Sequence, residues 1–420
     1  MWNEIQKRPL VRPLFLWVMG ILLYVHLPVA PLLVGLAMFC FLLLVVLGVS
    51  AVGGGVLRYD TRWMWGAVMS VLVVTLSVGV CLSAYKLAAT EQVVERPLLE
   101  RAERVRLALV ERFDRLSLTE GEKSVLATLT LGHRQALDRD MRERFSLAGV
   151  SHILAVSGFH VAVVCGFLSL LCRFPQRWAL GRWVRYALLL CGTWGFAFVT
   201  GLAPSAVRAA LMLTLYLTGR QLRRHTDGFN TLAAAAFLML AYNPFYLFDI
   251  GFQLSYLAVF SILYLMPRLR RFVPVRNPLL AAPWKWVLVA LAAQAGTTLL
   301  CFYYFGRFSL VFLFTNPPVT LLATLLLPCA LLWLCYPVGW MGQGWITTAV
   351  EGLTHAMTRL VGLFGELPWA SVSVSFGLAE TLGGYLFLLL LLIYMRLREP
   401  KVLLCALVLL LLLIVREFII

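Results

Sequence analysis

Charge is scarce in this 420-residue chain: 13% of its residues are Asp, Glu, Lys or Arg, against 61% hydrophobic. A soluble domain of this length has no core large enough to hide so much apolar surface. Strand-like alternation with regular turns is missing as well, which excludes an outer-membrane barrel. The nine cysteines are scattered through apolar runs without a C-x-x-C pair, so they read as small core residues rather than a disulfide or zinc framework. No G-x-x-x-x-G-K-S/T loop is present, which removes ATP hydrolysis by that route and leaves a partner or a gradient as the energy source. There is no H-E-x-x-H or H-x-H-x-D-H string, and neither a metal nor another cofactor is expected. Tandem repeats and low-complexity tracts are lacking too. The N-terminal run behind Lys7, Arg8 and Arg12 has no small-residue cleavage site and reads as a first membrane anchor.

What the chain does have is long apolar runs, such as Leu382–Tyr394 and Val402–Val415, and a mean hydropathy of +0.87. Runs near about 20 residues match a hydrocarbon layer of roughly 30 Å, and in lipid the backbone must satisfy itself as helix. The fold class expected is all-α: a polytopic integral membrane bundle of about 11 transmembrane helices with amphipathic surface helices. Spans fall near 13–27, 31–49 and 63–84, with Pro28 and Pro31 linking the first two and Arg58 and Arg62 following the second. Others fall near 151–171, 184–201, 205–219, 229–247, 251–266, 286–305, 380–396 and 401–418. The stretch 308–340 is interrupted by Asn316-Pro317-Pro318 and Pro328, and 346–366 reads as an amphipathic helix leading to a polar, serine-bearing loop.

Residues 85–150 change character: acids and bases are dense and nearly balanced, as in a solvated or surface-lying segment. Leu98, Ala102, Val105, Leu109, Phe113 and Leu116 recur at helical spacing. Thr119 with Glu122 forms a capping box for a second helix, and Leu137, Met141 and Phe145 stripe a third. Such helices suit the membrane surface or the side of the bundle. Three regions follow: 1–84 as an N-terminal membrane hairpin plus a third span, 85–150 as an amphipathic extracytoplasmic segment, and 151–420 as the main transmembrane domain. The net charge of +16 fits the positive-inside bias. With the N-terminus cytoplasmic and 308–340 crossing twice, five arginine clusters share the inside: Arg58/Arg62, Arg173/Arg177/Arg182, Arg220/Arg223/Arg224, Arg268/Arg270/Arg271/Arg276 and Arg396/Arg398/Lys401. That count places 85–150 and the C-terminus outside.

A charge at mid-bilayer costs roughly 2.5–3.5 kcal/mol on insertion scales, so ionisable residues inside spans are functional candidates. His152 and His160 flank a Ser151–His160 string; Arg208 sits in Gly201–Ala209; Asp249 opens Asp249–Tyr256, where Asp249, Gln253 and Tyr256 share one helical face. Ser205 and Arg208 are i, i+3 neighbours. These groups either satisfy one another, with Arg208 paired to Asp249, or line a wet path. Ser157 with His160 at i, i+3 also admits a nucleophile and base, although no third orienting group is evident. The cluster Phe302-Tyr303-Tyr304-Phe305 with Arg307 reads either as an interfacial aromatic belt or as a base-stacking platform.

Three strings in order, Ser151-His152-Ile153-Leu154-Ala155-Val156-Ser157-Gly158-Phe159-His160, Gly201-Leu202-Ala203-Pro204-Ser205-Ala206-Val207-Arg208-Ala209 and Asp249-Ile250-Gly251-Phe252-Gln253-Leu254-Ser255-Tyr256, resemble the signature of ComEC-type competence proteins. Leu131-Gly132-His133-Arg134 extends the likeness, which covers roughly 120–400. The resemblance implies an inner-membrane channel that passes one DNA strand into the cytoplasm during natural transformation. It implies a polar lining of Ser157, His160, Arg208, Asp249, Gln253 and Asn316, with His152, Gly158, Pro204, Ser205, Gly251 and Ser255 as structural members of the motifs. It also implies single-stranded DNA and the lipid bilayer as partners. An external nuclease, a DNA receptor and a cytoplasmic motor or single-strand-binding protein would act in trans. Two departures bear on this. Residues 85–150 are too short for the family's external OB-fold, and the chain reaches Ile420 without a metallo-β-lactamase-like domain, so a channel without its own nuclease, and not an enzyme, is expected. Pro317-Pro318 replaces the apolar residues expected after the asparagine. The competing function is a proton-coupled carrier of a small solute using Asp249 and His160; an intramembrane hydrolase would rest on Ser157 and His160 alone.

Overall fold

The computed structural model describes residues 8–26, 70, 73–81, 84–85, 97–173, 179–272, 275, 277–337 and 339–419. The expected span 31–49, the Arg58/Arg62 loop, much of 63–84, Lys7, Pro28, Pro31, residues 86–96, Arg177 and Arg276 lie outside the described residues.

The described chain is helical almost throughout, running α1 (Val11–His26), α2 (Pro97–Val110), α3 (Glu120–Leu131), α4 (Arg139–Leu147), α5 (Ser151–Leu154), α6 (Gly158–Leu171), α7 (Ala179–Val199) and α8 (Pro204–Gln221). It continues through α9 (Gly228–Tyr242), α10 (Ile250–Phe272), α11 (Pro278–Phe305), β1 (Arg307–Ser309), α12 (Phe312–Cys335), α13 (Gln343–Gly365), β2 (Ser371–Ser373), α14 (Leu378–Leu397) and α15 (Pro400–Ile419). Among the described residues four helices are long and apolar enough to cross a membrane: α10, α11 from Pro283, α12 and α14. Shorter apolar helices, α1, α6, α9 and the first part of α15, accompany them. The protein is a multi-pass, all-α membrane protein.

Its two compact units are 1–104 with 164–256, and 105–163 with 257–420. In the first, α7, α8 and α9 pack in succession and α1 lies on α9. Trp17, Ile21, Cys81, Ala236, Met239, Leu240 and Phe252 form its core. Polar links hold these helices in register where lipid offers no hydrophobic drive: Tyr186 to Thr218 at 2.8 Å, Trp194 Nε1 to Thr214 at 3.1 Å, and the Leu10 N–H to Asn230 Oδ1 at 3.1 Å.

In the second unit, α12 and α13 form a long hairpin, and α3 and α4 pack on it. Residues 124–131 are therefore not solvated: Val125, Leu126, Leu129 and Leu131 are fully enclosed, and Ser124, Thr128 and Thr130 are buried beside them. Of the two placements open to this segment, the side of the bundle is the one α3 takes. The Thr119/Glu122 capping box forms as its spacing indicated, and Ala102, Phe113, Leu116, Leu137 and Phe145 of the apolar stripes are buried. Val105 of the same stripe is exposed.

The proline-interrupted stretch is a correction. It forms one continuous helix, α12, through Pro317, Pro318 and Pro328, not two crossings. Each proline withholds one N–H and deprives the carbonyl four residues earlier, on Leu313, Phe314 and Thr324. A full break would expose several more backbone groups where water is absent, so three lost bonds are the smaller loss. The serine-bearing loop holds a second difference, since Ser371–Ser373 pairs antiparallel with Arg307–Ser309, Phe308 opposite Val372.

Candidate functional site

The first polar constellation belongs to the first unit, where two unusual turns position it. Helix α7 ends in consecutive left-handed residues, Gly201 at φ 76° and Leu202 at φ 51°. The Leu202 N–H donates to the Ala197 carbonyl at 2.8 Å and the Gly201 N–H to the Phe198 carbonyl at 2.9 Å, closing the helix end. Exposed Pro204 then opens α8 at a position where no N–H is needed, with half-buried Ser205 behind it. Arg208 thus emerges one turn into α8, 4% exposed.

The second turn is the 3₁₀ segment Pro244–Phe248, which ends at Asp249. Asp249 Oδ1 accepts the Phe252 N–H at 2.6 Å and so caps α10. Gln253 donates from Nε2 back to the Leu247 carbonyl at 3.0 Å, and Ser255 is half-buried on the following turn. Arg208 reaches this cap from α8, donating from Nη2 to the Gly251 carbonyl at 2.9 Å, with Nη1 3.6 Å from Asp249 Oδ1. Arg208 and Asp249 are therefore paired. The guanidinium is enclosed while Asp249 is 48% exposed, so the pair is partly screened rather than deeply buried. Gly251 is what lets the arginine approach: a Cβ there would stand 3.2 Å from both Arg208 Nη2 and Asp249 Oδ1. Gly251→Ala is expected to push the guanidinium off the Gly251 carbonyl and destabilise the purified protein by about 1–2 kcal/mol, read as a lowered thermal midpoint. An unchanged midpoint would show that the arginine accommodates the methyl.

The second constellation belongs to the second unit. Exposed Ser151 and His152 start the one-turn helix α5, the chain extends through Ala155–Ser157, and exposed Gly158 opens α6. The Ser157 N–H donates to His160 Nδ1 at 3.2 Å, and Ser157 Oγ lies 3.0 Å from the same nitrogen. His160 thus accepts from the backbone ahead of its helix, as Glu or Gln does in a capping box. Because Nδ1 accepts, the proton of the neutral ring sits on Nε2. That atom is buried without a hydrogen-bond partner among the described residues, and the ring has no exposure. The arrangement fixes a turn, and among the described residues no group orients the far nitrogen. Asn316 lies on α12, largely buried, with Oδ1 likewise without a partner among the described residues.

One network escaped sequence reasoning. Glu122 accepts from the Thr119 N–H and hydroxyl at 3.0 and 2.9 Å, and from Thr358 at 3.3 Å, while its Oε1 lies 2.8 Å from His355 Nδ1. The local half was legible as the capping box. His355 and Thr358, more than 200 positions away, carry no signal of it. Among the described residues no three or more His, Cys, Asp or Glu side chains group as a metal site would need.

A family model described as Competence protein matches residues 129–399, which contain both polar constellations. The chain belongs to the competence protein family. It is 30% identical over 188 residues to ComE operon protein 3 of Bacillus subtilis (strain 168), covering 44% of this chain and 23% of that protein. It is 24% identical over 295 residues to Recombination protein 2 of Haemophilus influenzae (strain ATCC 51907 / DSM 11121 / KW20 / Rd), covering 67% of this chain and 36% of that one. An uncharacterised protein of Escherichia coli (strain K12), YcaI, is 26% identical over 149 residues, covering 34% of this chain and 19% of its own length. The chain thus spans well under half the length of these relatives. No solved structure matches it.

Proposed function

We propose that this competence-family chain forms the membrane passage through which single-stranded DNA enters a bacterial cell during natural transformation, in the cytoplasmic membrane and with its N-terminus inside. The observation that carries this is the family match over 129–399 enclosing Arg208, an arginine held in place inside an apolar helical unit. A strand carries one negative charge per nucleotide and needs fixed positive potential and adaptable donors along a wet groove. Within the first unit Arg208 supplies the charge and Gln253 a polar group. Asp249 orients the arginine and, half-neutralised by it, does not repel phosphate as a free carboxylate would. A nuclease, a receptor and a motor or single-strand-binding protein act in trans.

The direct test is a marked deletion in a transformable host, scored by transformation frequency with labelled donor DNA. Loss of uptake restored by the full chain supports the passage, and uptake at the parental level in the deletion rejects it. Conduction without catalysis also has a consequence for the purified protein. It is expected to leave DNA uncut with zinc, manganese or magnesium present; metal-dependent cleavage lost in His152→Ala or His160→Ala would show an enzyme instead.

A further inference from the structure

Helix α12 has one face that needs hydrocarbon. Phe314, Leu321, Leu325 and Leu332 are all exposed and lie at i, i+7, i+11 and i+18, a single stripe about 27 Å long at about 1.5 Å per residue. This length and composition match the apolar layer of a bilayer. The turn that follows is built to present apolar groups. Gly339 and Gly342 adopt φ 85° and 94°, the Tyr336 hydroxyl donates to the Met341 carbonyl at 2.7 Å, and the Gly339 N–H donates to Gln343 Oε1 at 2.7 Å. Held by these bonds, Trp340, Met341 and Trp345 stand out, Met341 at 95% exposure and Trp345 at 84%. Tryptophan beside the end of a span is the signature of the membrane interface.

The charged segment runs the height of this helix. At the Cys335 end, Arg112 donates to the Leu334 carbonyl at 2.7 Å and Phe113 stacks on Trp333. At the Phe312 end, Ser309 donates to the Leu147 carbonyl at 2.9 Å, and Arg144 pairs with Glu366, just past α13, at 3.0 Å. Between them the Ser117 N–H meets Glu351 at 2.6 Å and Glu122 meets His355. The Trp333–Thr347 hydrogen bond at 2.9 Å registers α13 against α12. His355 is eight residues beyond Thr347 and Leu325 eight before Trp333, so both lie about 12 Å from that bond, near mid-depth.

We propose that residues 112–147 lie at bilayer depth on the protein side of α12, and that the edge of α3 and α13 carrying Glu120, His355 and Arg359 lines a water-filled passage there. The physical reason is cost. Glu120 is 89% exposed, and His355 and Arg359 are exposed too. Such groups level with a lipid-facing stripe are too costly to place in hydrocarbon, so they face water. The weakly apolar α13 and the charged α3 are tolerated at that depth because they satisfy one another and α12 screens them from lipid. In this arrangement α13 supplies the return crossing that a single α12 leaves wanting. Leu147 stays on the outer face, while the Arg112 end reaches the opposite one. The passage rests on the proposed conduit function for its purpose, but its location does not depend on DNA.

The test places an environment-sensitive fluorescent amino acid, by stop-codon suppression, at Leu325, Met341 or His355 of the full chain in liposomes. Quenching by lipids brominated along the acyl chain is compared with quenching by aqueous iodide. Leu325 and Met341 are expected to respond to bromolipid, Met341 with the shallow brominated positions, and His355 to iodide. Iodide access at both Leu325 and His355 would put the hairpin outside the bilayer and overturn the proposal. Bromolipid quenching at His355 would remove the passage, and no response of either kind at Leu325 would mean that protein, such as a second copy, covers the stripe. None of these readouts involves DNA, so a failed uptake assay and a failed location are told apart.

Discussion

Arg208→Ala is expected to lower transformation frequency by about ten- to a hundredfold at matched protein level. The side chain donates to the Gly251 carbonyl at 2.9 Å and sits 3.6 Å from Asp249. A charge-assisted hydrogen bond of this kind is worth about 1.5–3 kcal/mol, and every 1.4 kcal/mol is about tenfold. If the charge serves the strand, Arg208→Lys keeps part of the uptake, because it preserves the potential while losing the fork that grips the α10 cap. Asp249→Asn separates structure from conduction. Two deeply buried partners would cost about 3–5 kcal/mol to separate, but Asp249 is half-exposed and water screens it, so about 1 kcal/mol is expected. A double-mutant cycle reading protein level and uptake separately measures the coupling. Strictly additive effects on protein level would end the pairing as a stabilising contact. Parental uptake in Arg208→Ala would take the arginine out of the path.

Glu122→Ala is expected to destabilise the second unit by about 1–2 kcal/mol, read as a lowered midpoint of thermal unfolding in detergent. The carboxylate side chain is 12% exposed and accepts from Thr119 twice and from Thr358, with His355 at 2.8 Å. Its removal unmakes the reciprocal half of the capping box of α3, worth about 1 kcal/mol, and takes a charged acceptor from the half-buried Thr358 hydroxyl, which keeps the Thr354 and His355 carbonyls. His355→Ala touches the same network from its exposed end and should cost less than about 1 kcal/mol. Glu122→Gln keeps an acceptor and should fall between the two. A melting midpoint unmoved by Glu122→Ala would show that α3 is held by its enclosed leucines alone.

The Ser157–His160 turn shows how local chemistry reads from sequence while its role does not. Three-residue spacing brought the two side chains together on the page as it does in space. Yet the same spacing suited a nucleophile with its base, and only the backbone N–H on Nδ1 identifies a cap. Arg208 and Asp249 were legible as a pair because each alone is expensive in lipid. Their unequal exposure was not, since it depends on where the 3₁₀ turn leaves Asp249. At Pro317-Pro318 the local rule pointed the wrong way: proline disfavours helix residue by residue, but the alternative in an apolar surrounding is worse.

By itself, the sequence determined the solvent of this protein, its helical class, the capping box at Thr119 and the family to which its motifs belong. All four follow from composition or from residues within a few positions of one another, where spacing and chemistry act directly. Only the tertiary structure decided that α12 is one helix, that α3 is enclosed from Ser124 onward while Glu120 at its start is exposed, and that Glu122 meets His355. Those outcomes depend on packing and hydrogen bonds between residues far apart in the chain, and in a medium without water each polar group settles where a partner, not its neighbours in sequence, can satisfy it.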